Sequence, residues 1–451
     1  MVELSGKKTM VLGLGKSGLA VVRFLASRGA HVRVNDQRDA AELASAAQEA
    51  SRLGAELVLG GHPEAAFRGL DLIVVSPGVP PLGALDAAES EGTPIISEVE
   101  LAARFIAAPI IAVTGTNGKS TVTTLIGEMC ATLSRPVFVG GNLGQPMIEA
   151  VGTAAAGDEG LVIVELSSFQ LERVAQMKAH VAVLLNITPD HLDRYASLAA
   201  YAAAKARIFE RQQAEDFAIV PADAPELRDL ADGGGTVLLF GGRQGEVRVV
   251  GDALCDSESG LRVPLSDLRL RGSHNLANAC AAALAARLVG VHAQDIASVL
   301  RTFGGLAHRM QYVATLGGVE YIDDSKATNV GATAAALDGL EPASGKIILI
   351  AGGVDKGGSY EPLRRRMAER GRAVVVLGEA APLIERALAG SGLEVRRAAS
   401  MEEAVRHASA VAQAGDTVLL APACSSFDMF RSYAERGDVF QSAVRTLGGQ
   451  S

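Results

Sequence analysis

Seven residues framed by glycine, Gly115-Thr116-Asn117-Gly118-Lys119-Ser120-Thr121, form the segment of this chain best suited to chemistry. They follow the apolar run Ile110-Ile111-Ala112-Val113 and lead into the helix-like Val122-Thr123-Thr124-Leu125-Ile126. Glycines let backbone N–H groups close around phosphate oxygens, and a helix starting there adds its positive end. In such a loop Lys119 reaches the β- and γ-phosphates and the Ser120 hydroxyl takes magnesium. The match to the Walker A pattern is incomplete, because Val113 stands where that pattern has glycine.

Other residues invite chemistry with less force. Gly13, Gly15 and Gly18 follow a strand-like run, and Asp36 lies beyond them. This spacing fits a dinucleotide fingerprint and leaves a nicotinamide or flavin cofactor open. Glu165 closes the run Leu161-Val162-Ile163-Val164, where it is either a second magnesium ligand or a strand-end cap. Asp190-His191 follows Val181–Leu185; a lone histidine is more often structural, but the adjacent acid favours a ligand. Lys205 sits in the helical Tyr201–Arg207, where composition alone makes it a solvated surface lysine. Asn275 and Asn278, three apart at the start of an Ala-rich helix, share a face on which amides can bond a base or a phosphate. His308-Arg309 and Asp323-Asp324-Ser325-Lys326-Ala327-Thr328-Asn329 supply cations, acids and hydroxyls suited to a ribose and small carboxylates.

These residues need strands to present them, and the chain alternates short apolar runs with Ala-rich helical stretches throughout. That is the pattern of parallel sheets covered on both faces by helices. Runs at Met10–Leu12, Val32–Val34, Leu72–Val75, Ile110–Val113, Leu161–Val164, Val181–Leu185, Ile347–Ile350 and Val418–Leu420 each end in polar or glycine-rich residues. Ligands of open α/β sheets bind at such carboxyl ends. Three α/β segments are expected, with boundaries at 1–98, 99–305 and 306–451. The formal charge of −9 argues against a nucleic-acid surface. Cys130, Cys255, Cys280 and Cys424 are too scattered for a disulfide framework, which points to reduced thiols in the cytoplasm. The amino terminus lacks the pattern of a signal peptide, and no apolar run nears the roughly 20 residues of a membrane span, so no integral membrane segment is expected.

Taken in order, Gly115–Thr121, Gly141-Asn142-Leu143-Gly144, Glu165-Leu166-Ser167-Ser168-Phe169-Gln170, Asn186-Ile187-Thr188-Pro189-Asp190-His191-Leu192-Asp193, Lys205, His274-Asn275 with Asn278, and His308-Arg309 resemble the Mur ligases along nearly the whole chain. Asp324–Asn329 and Ala421-Pro422-Ala423-Cys424-Ser425-Ser426-Phe427-Asp428 resemble the D-glutamate-adding branch of that family. The resemblance implies three domains: a Rossmann-like domain for a UDP-sugar, a central P-loop-type ATPase with a mainly parallel sheet, and a Rossmann-like carboxyl-terminal domain. It implies an ATP-driven amide ligase joining D-glutamate to UDP-N-acetylmuramoyl-L-alanine through an acyl phosphate, in peptidoglycan precursor synthesis. A monomer is the simplest assembly, though the sequence alone does not fix it.

The same resemblance assigns residues. Ser17, Asp36, Gln37, Arg38, Asn142 and Ser167 would bind the UDP-substrate. Gly115–Thr121, Asn278, Arg309 and Asp324 would bind ATP, with Asp324 on its ribose. Lys326, Thr328, Lys356, Ser426 and Phe427 would form the D-glutamate pocket. Lys119, Glu165, His191 and Lys205 would be catalytic. Of two magnesium ions, one would be held by Ser120 and Glu165, the other by His191 and by Lys205 after carbamylation with carbon dioxide. Two departures stand out: Gln37 occupies a place where some members carry Thr, and Gly353-Val354-Asp355-Lys356 replaces a Gly-Asp-Gly-Lys form. The nearest rival is a folylpolyglutamate-synthase-like ligase, which would lack the domain ahead of the ATP loop. A nicotinamide oxidoreductase leaves Lys119, His191 and Lys205 idle, and a non-enzymatic nucleotide switch leaves the magnesium ligands without work.

Overall fold

The structure, a computed structural model, describes residues 3–191, 194–270, 272–340, 345–357 and 359–449. It is α/β throughout, with three sheets. The chain groups into two compact units: 1–187, 199–262 and 279–299 form the first, and 188–198, 263–278 and 300–451 the second.

The first unit holds two sheets. One is five-stranded and parallel, in the order Glu56–Leu59, His31–Asp36, Lys8–Leu12, Leu72–Val75, Ile95–Ser97. Its alternate residues fill two cores: Val11, Val34 and Val74 face one side, Met10, Leu12 and Ile73 the other. Burial on both faces is why these strands read as unbroken apolar runs. The chain order reverses between Lys8–Leu12 and Leu72–Val75, so a crevice opens at their carboxyl ends. The other sheet has nine strands, and five of them run to one edge in the order Phe217–Pro221, Val181–Leu184, Ile110–Thr114, Leu161–Glu165, Val137–Gly141, all parallel. A single apolar cluster running from Leu4 to Ala231 serves both sheets. That shared core makes the two sheets one compact unit.

The sheet of the second unit runs Gln311–Leu316, Val319–Asp323, Thr417–Leu420, Ile347–Gly352, Gly371–Leu377, Glu394–Arg397. The first pair is antiparallel and the rest parallel. Helices cover both faces: Ile347 and Leu349 point into one core, Ile348 and Ile350 into the other. Thr417–Leu420 lies between Val319–Asp323 and Ile347–Gly352, so the carboxyl ends of these three strands form one rim. No helix among the described residues is long and apolar enough to cross a membrane.

Candidate active site

At the switch point of the first sheet, Gly13 takes φ +90°, and a Cβ on Gly18 would lie 1.9 Å from the Gly13 carbonyl oxygen. Both glycines are therefore required to turn the strand into helix Lys16–Ser27. The crevice beside them measures about 660 Å³ and includes Ser17, Asp36, Gln37 and Arg38 in its lining. Asp36 is already engaged there. Its Oδ2 accepts from the Leu14 N–H at 2.7 Å and the Arg38 Nη2 at 2.8 Å; its Oδ1 accepts from the Arg38 N–H and Nε. Burial works against the charge, but Arg38 and the backbone donors outweigh it and hold the carboxyl at about 2. Asp36 thus braces the glycine loop as a fixed anion. Lys16 extends from the same helix start to donate to the Gly144 carbonyl at 2.7 Å.

The phosphate loop follows Ile110–Thr114. Gly115 adopts φ +148°, Gly118 adopts φ +87° as the N-cap, and helix Lys119–Cys130 begins at once. The loop is clamped by Asn186, from the segment after the adjacent strand. The Asn186 carbonyl accepts from the Thr116 N–H at 2.9 Å, its Oδ1 from the Asn117 N–H at 2.9 Å, and its Nδ2 donates to the Asn117 carbonyl at 3.0 Å. Lys119 folds over the loop, donating to the Gly115 and Thr116 carbonyls at 2.9 Å each. Ser120 and Thr121 are buried in the first turn.

Lys205 overturns the expectation of a solvated surface lysine. It is 1% exposed, its Nζ donates to the Gly115 carbonyl at 2.9 Å, and it stands 4.7 Å from the Tyr201 ring centroid. The helix Leu198–Ala206 turns Tyr201, Ala204 and Lys205 inward together. Glu165, also buried, ends its strand beside the loop strand and accepts from Asn142 Nδ2 at 2.7 Å. A Cβ at Gly141 would lie 2.4 Å from the Glu165 carbonyl oxygen, so glycine is required for Asn142 to reach that carboxylate. Ser167 caps helix Ser168–Leu171 in a capping box with Gln170.

These donors fit magnesium, which prefers hard oxygen ligands. Ser120 offers a hydroxyl and Glu165 a buried carboxylate. The Lys205 amine carries no oxygen, and carbamylation would supply one at the loop it already touches.

In the second unit, His191 adopts φ +54° and its N–H donates to Asp190 Oδ1 at 3.0 Å. Asp190 also accepts from Asn329 Nδ2 at 2.9 Å and pairs with Lys356 Nζ at 3.7 Å. All three line a cavity of about 300 Å³. Lys326, Thr328, Ser426 and Phe427 are not among its lining residues. Lys326 instead lies 4.0 Å from the Tyr433 ring centroid, Ser426 is buried, and Phe427 is 74% exposed. Asn275 and Asn278 are buried and hydrogen-bonded to each other at 3.4 Å, on the shared face their spacing predicts.

Asp324 lies at the end of Val319–Asp323, bonded to the Met310 N–H at 3.3 Å. Burial pushes its carboxyl up to about 7, against the pull of Arg309 and that N–H. Beneath it, Asp323 Oδ2 meets His308 Nδ1 at 2.7 Å and Gln441 Nε2 at 2.8 Å. A Cβ on Gly437 would reach 2.1 Å from His308, so the carboxyl-terminal helix needs glycine to seat this network.

Sequence reasoning missed Arg436. It is 1% exposed and donates to the Ser325 hydroxyl and carbonyl and to the Cys424 carbonyl, tying Asp324–Asn329 to Ala421–Asp428. Burial lowers the guanidinium to about 10. In sequence it is one arginine on an amphipathic helix, with no signal of its partners.

Three family descriptions match in succession: "Mur ligase MurD-like, N-terminal domain" over residues 7–97, "Mur ligase middle domain" over 113–286, and "Mur ligase, glutamate ligase domain" over 308–424. The chain is 44% identical to the "UDP-N-acetylmuramoylalanine--D-glutamate ligase" of Geobacter metallireducens, across 99% of each chain. Its fold is similar to the pseudomurein peptide ligase type C of Methanothermus fervidus, with a TM-score of 0.63 at 20% identity over 98% of this chain and 100% of that one. It is also similar to the MurF ligase of Thermotoga maritima in complex with ADP, with a TM-score of 0.61 at 17% identity over 99% and 100%.

Proposed function

The chain belongs to the Mur ligase family, and we propose from that premise how its residues divide the family's reaction. It is an ATP-dependent amide ligase that adds D-glutamate to UDP-N-acetylmuramoyl-L-alanine in peptidoglycan precursor synthesis. The observation that carries this is the 44% identity, over essentially the full length of both chains, to a ligase of that name. The successive family matches support a division into domains at 1–98, 99–305 and 306–451. A nucleotide-linked substrate and ATP place the work in the cytoplasm, and a monomer suffices for it.

The UDP-sugar takes the crevice beside Gly13–Gly18, where Ser17, Gln37 and Arg38 are available and Asp36 holds the loop. Gly115–Thr121 hold the ATP phosphates, with Asn186 engaging the Thr116 and Asn117 N–H groups to set the loop and the start of helix Lys119–Cys130 facing the anion, and Lys119 exchanges its loop carbonyls for phosphate oxygens. Asn278, Arg309 and Asp324 serve the remainder of ATP. Ser120 and Glu165 would hold one magnesium ion, and His191 and carbamylated Lys205 the other. Bound magnesium would spread the negative charge of the transferring phosphoryl group.

The terminal carboxylate of the L-alanyl substrate attacks the γ-phosphorus of ATP. The P–O bond to ADP breaks as the acyl phosphate forms, and Lys119 stabilises the charge that develops. The amine of D-glutamate then adds to the acyl carbon. The tetrahedral intermediate collapses, phosphate leaves, and the nitrogen loses its proton as the amide forms. Lys356 holds a carboxylate of the incoming amino acid; its place in the 300 Å³ cavity supports this assignment.

The test is phosphate release from ATP with magnesium and UDP-N-acetylmuramoyl-L-alanine, with D-glutamate, L-glutamate, L-alanine or meso-diaminopimelate added separately. Release only with D-glutamate is expected. Release with a different amino acid alone would keep the ligase class and overturn the assigned specificity.

A further inference from the structure

The loop that carries Lys356 departs from the Gly-Asp-Gly-Lys form, and its geometry gives the departure a consequence. Gly352 and Gly353 take φ +133° and +131°, and a Cβ on them would fall 1.8 Å from the Leu377 carbonyl oxygen and 2.0 Å from that of Ser425. Up to Val354, which pairs with Ser425 through both backbone bonds, the loop is therefore held by its own main chain. Beyond Val354, among the described residues, side chains hold the loop. Asp355 Oδ2 accepts from the Gly357 N–H at 3.0 Å, and Asp355 Oδ1 accepts from the Tyr360 hydroxyl at 2.6 Å. The same hydroxyl lies 3.2 Å from the buried Cys424 Sγ. The Tyr360 ring packs in the core with Leu363 and Met367, and Tyr360 is the N-cap of helix Glu361–Arg370. It is a rigid post, and its hydroxyl fixes the residue immediately before Lys356.

We propose that Tyr360 and Asp355 form a positioning pair that sets Lys356 beside Asp190 at the cavity, and so tunes affinity for the carboxylate of the incoming amino acid. This rests on the reading of Lys356 as a ligand of D-glutamate. A lysine side chain has freedom in every torsion, and much of that freedom is lost on binding. Anchoring its backbone on both sides lowers the entropic cost of holding one carboxylate. Burial of the Tyr360 hydroxyl and the Cys424 thiol raises both above their ordinary values, so each keeps its proton, and the tyrosine remains a donor to Asp355. Tyr360 is not among the residues lining the 300 Å³ cavity, whereas Asp355 and Lys356 are, so Tyr360 acts on the amino acid only through them.

The test compares Tyr360→Phe, Asp355→Ala, the double variant and Lys356→Ala in the full chain, measuring kcat and KM separately for ATP, UDP-N-acetylmuramoyl-L-alanine and D-glutamate. Phenylalanine keeps the ring in the core, so Y360F is expected to fold, with a melting temperature lowered by no more than about 4 °C, the worth of one hydrogen bond. Its KM for D-glutamate should rise about fivefold, the worth of one hydrogen bond, with kcat and the other two KM values unchanged. D355A should match or exceed it, and the double variant should equal D355A, because the pair acts as a unit. An unchanged D-glutamate KM in Y360F while K356A raises it would overturn the inference alone. An unchanged D-glutamate KM in K356A would overturn it together with the reading it rests on. Multiplying effects in the double variant, or a common rise of all three KM values, would reduce Tyr360 to a structural residue.

Discussion

Two loops in this molecule look alike in sequence and are held in opposite ways. Each follows a buried parallel strand, Ile110–Thr114 or Ile347–Gly352, and each carries glycines at positive φ before a lysine. In the first, the helix starts at the lysine itself, and Lys119 lies back on the carbonyls of its own loop. In the second, the helix starts only at Glu361, and Lys356 reaches toward Asp190 on another segment. The first loop turns at its glycines straight into a helix start, an arrangement suited to an anion. The second presents one cation at a distance fixed by its neighbours. On the proposed reading, a phosphate loop needs one remote clamp, Asn186, beside its own glycines and helix start, whereas a carboxylate pocket for a small amino acid has to be assembled from several remote side chains.

Lys119→Ala should break the first loop most severely. It removes the cation facing the transferring phosphoryl group, and kcat/KM should fall about 10³-fold while far-UV circular dichroism stays unchanged. Activity within tenfold of the wild type would show that the backbone N–H groups suffice. Lys205→Arg comes next. It keeps a cation but blocks carbamylation, and activity should fall about 10²-fold, as for a lost metal-ligand function. Wild-type protein equilibrated with isotopically labelled bicarbonate should show a carbamate NMR signal that the variant lacks. A signal of equal strength in both would remove the assignment. Asn186→Ala releases both Asn117 bonds made by its side chain. The KM for ATP should rise about tenfold, with the KM for D-glutamate unchanged. A matching rise in both would mean that Asn186 supports the fold in general.

The same contrast explains how much could be read before any coordinates. All eight strands named from apolar runs are present, because a strand buried on both faces writes itself as consecutive Val, Ile and Leu. Glu394–Arg397 and Gln311–Leu316 are edge strands of the third sheet with polar residues, and periodicity does not mark them. Gly115–Lys119 was legible because φ at glycine and the start of a helix are local properties. Asn186 was not, since it clamps Asn117 across 69 residues and nothing in either segment announces the pairing. Composition misleads at Lys205 for a related reason: an alanine-rich helix does not say which of its faces is covered. Tyr360 and Arg436 are recognisable only when Asp355, Cys424 and Ser325 are brought beside them.

The smallest expected effect belongs to Asp324, and its sign is set by burial. Its carboxyl rises from 3.8 to about 7 in the folded chain, so the folded state keeps a proton that the unfolded chain releases near 3.8. The stabilisation from that proton is complete at low pH and is lost as pH rises through about 7. Asp324→Asn, which cannot ionise, should therefore gain stability relative to the wild type as pH rises from about 4 to about 7, measured as the difference in melting temperature at each pH. Binding should run the other way. An ionised carboxylate is the better acceptor for a ribose hydroxyl, so the KM for ATP should fall a few-fold as pH rises through about 7 in the wild type and stay flat in D324N. If the pH dependence of the ATP KM survives in the variant, another group carries it and Asp324 is a structural acid. If both trends vanish together, the second loop's neighbour is as much a titrating part of ATP binding as the first loop is a fixed one.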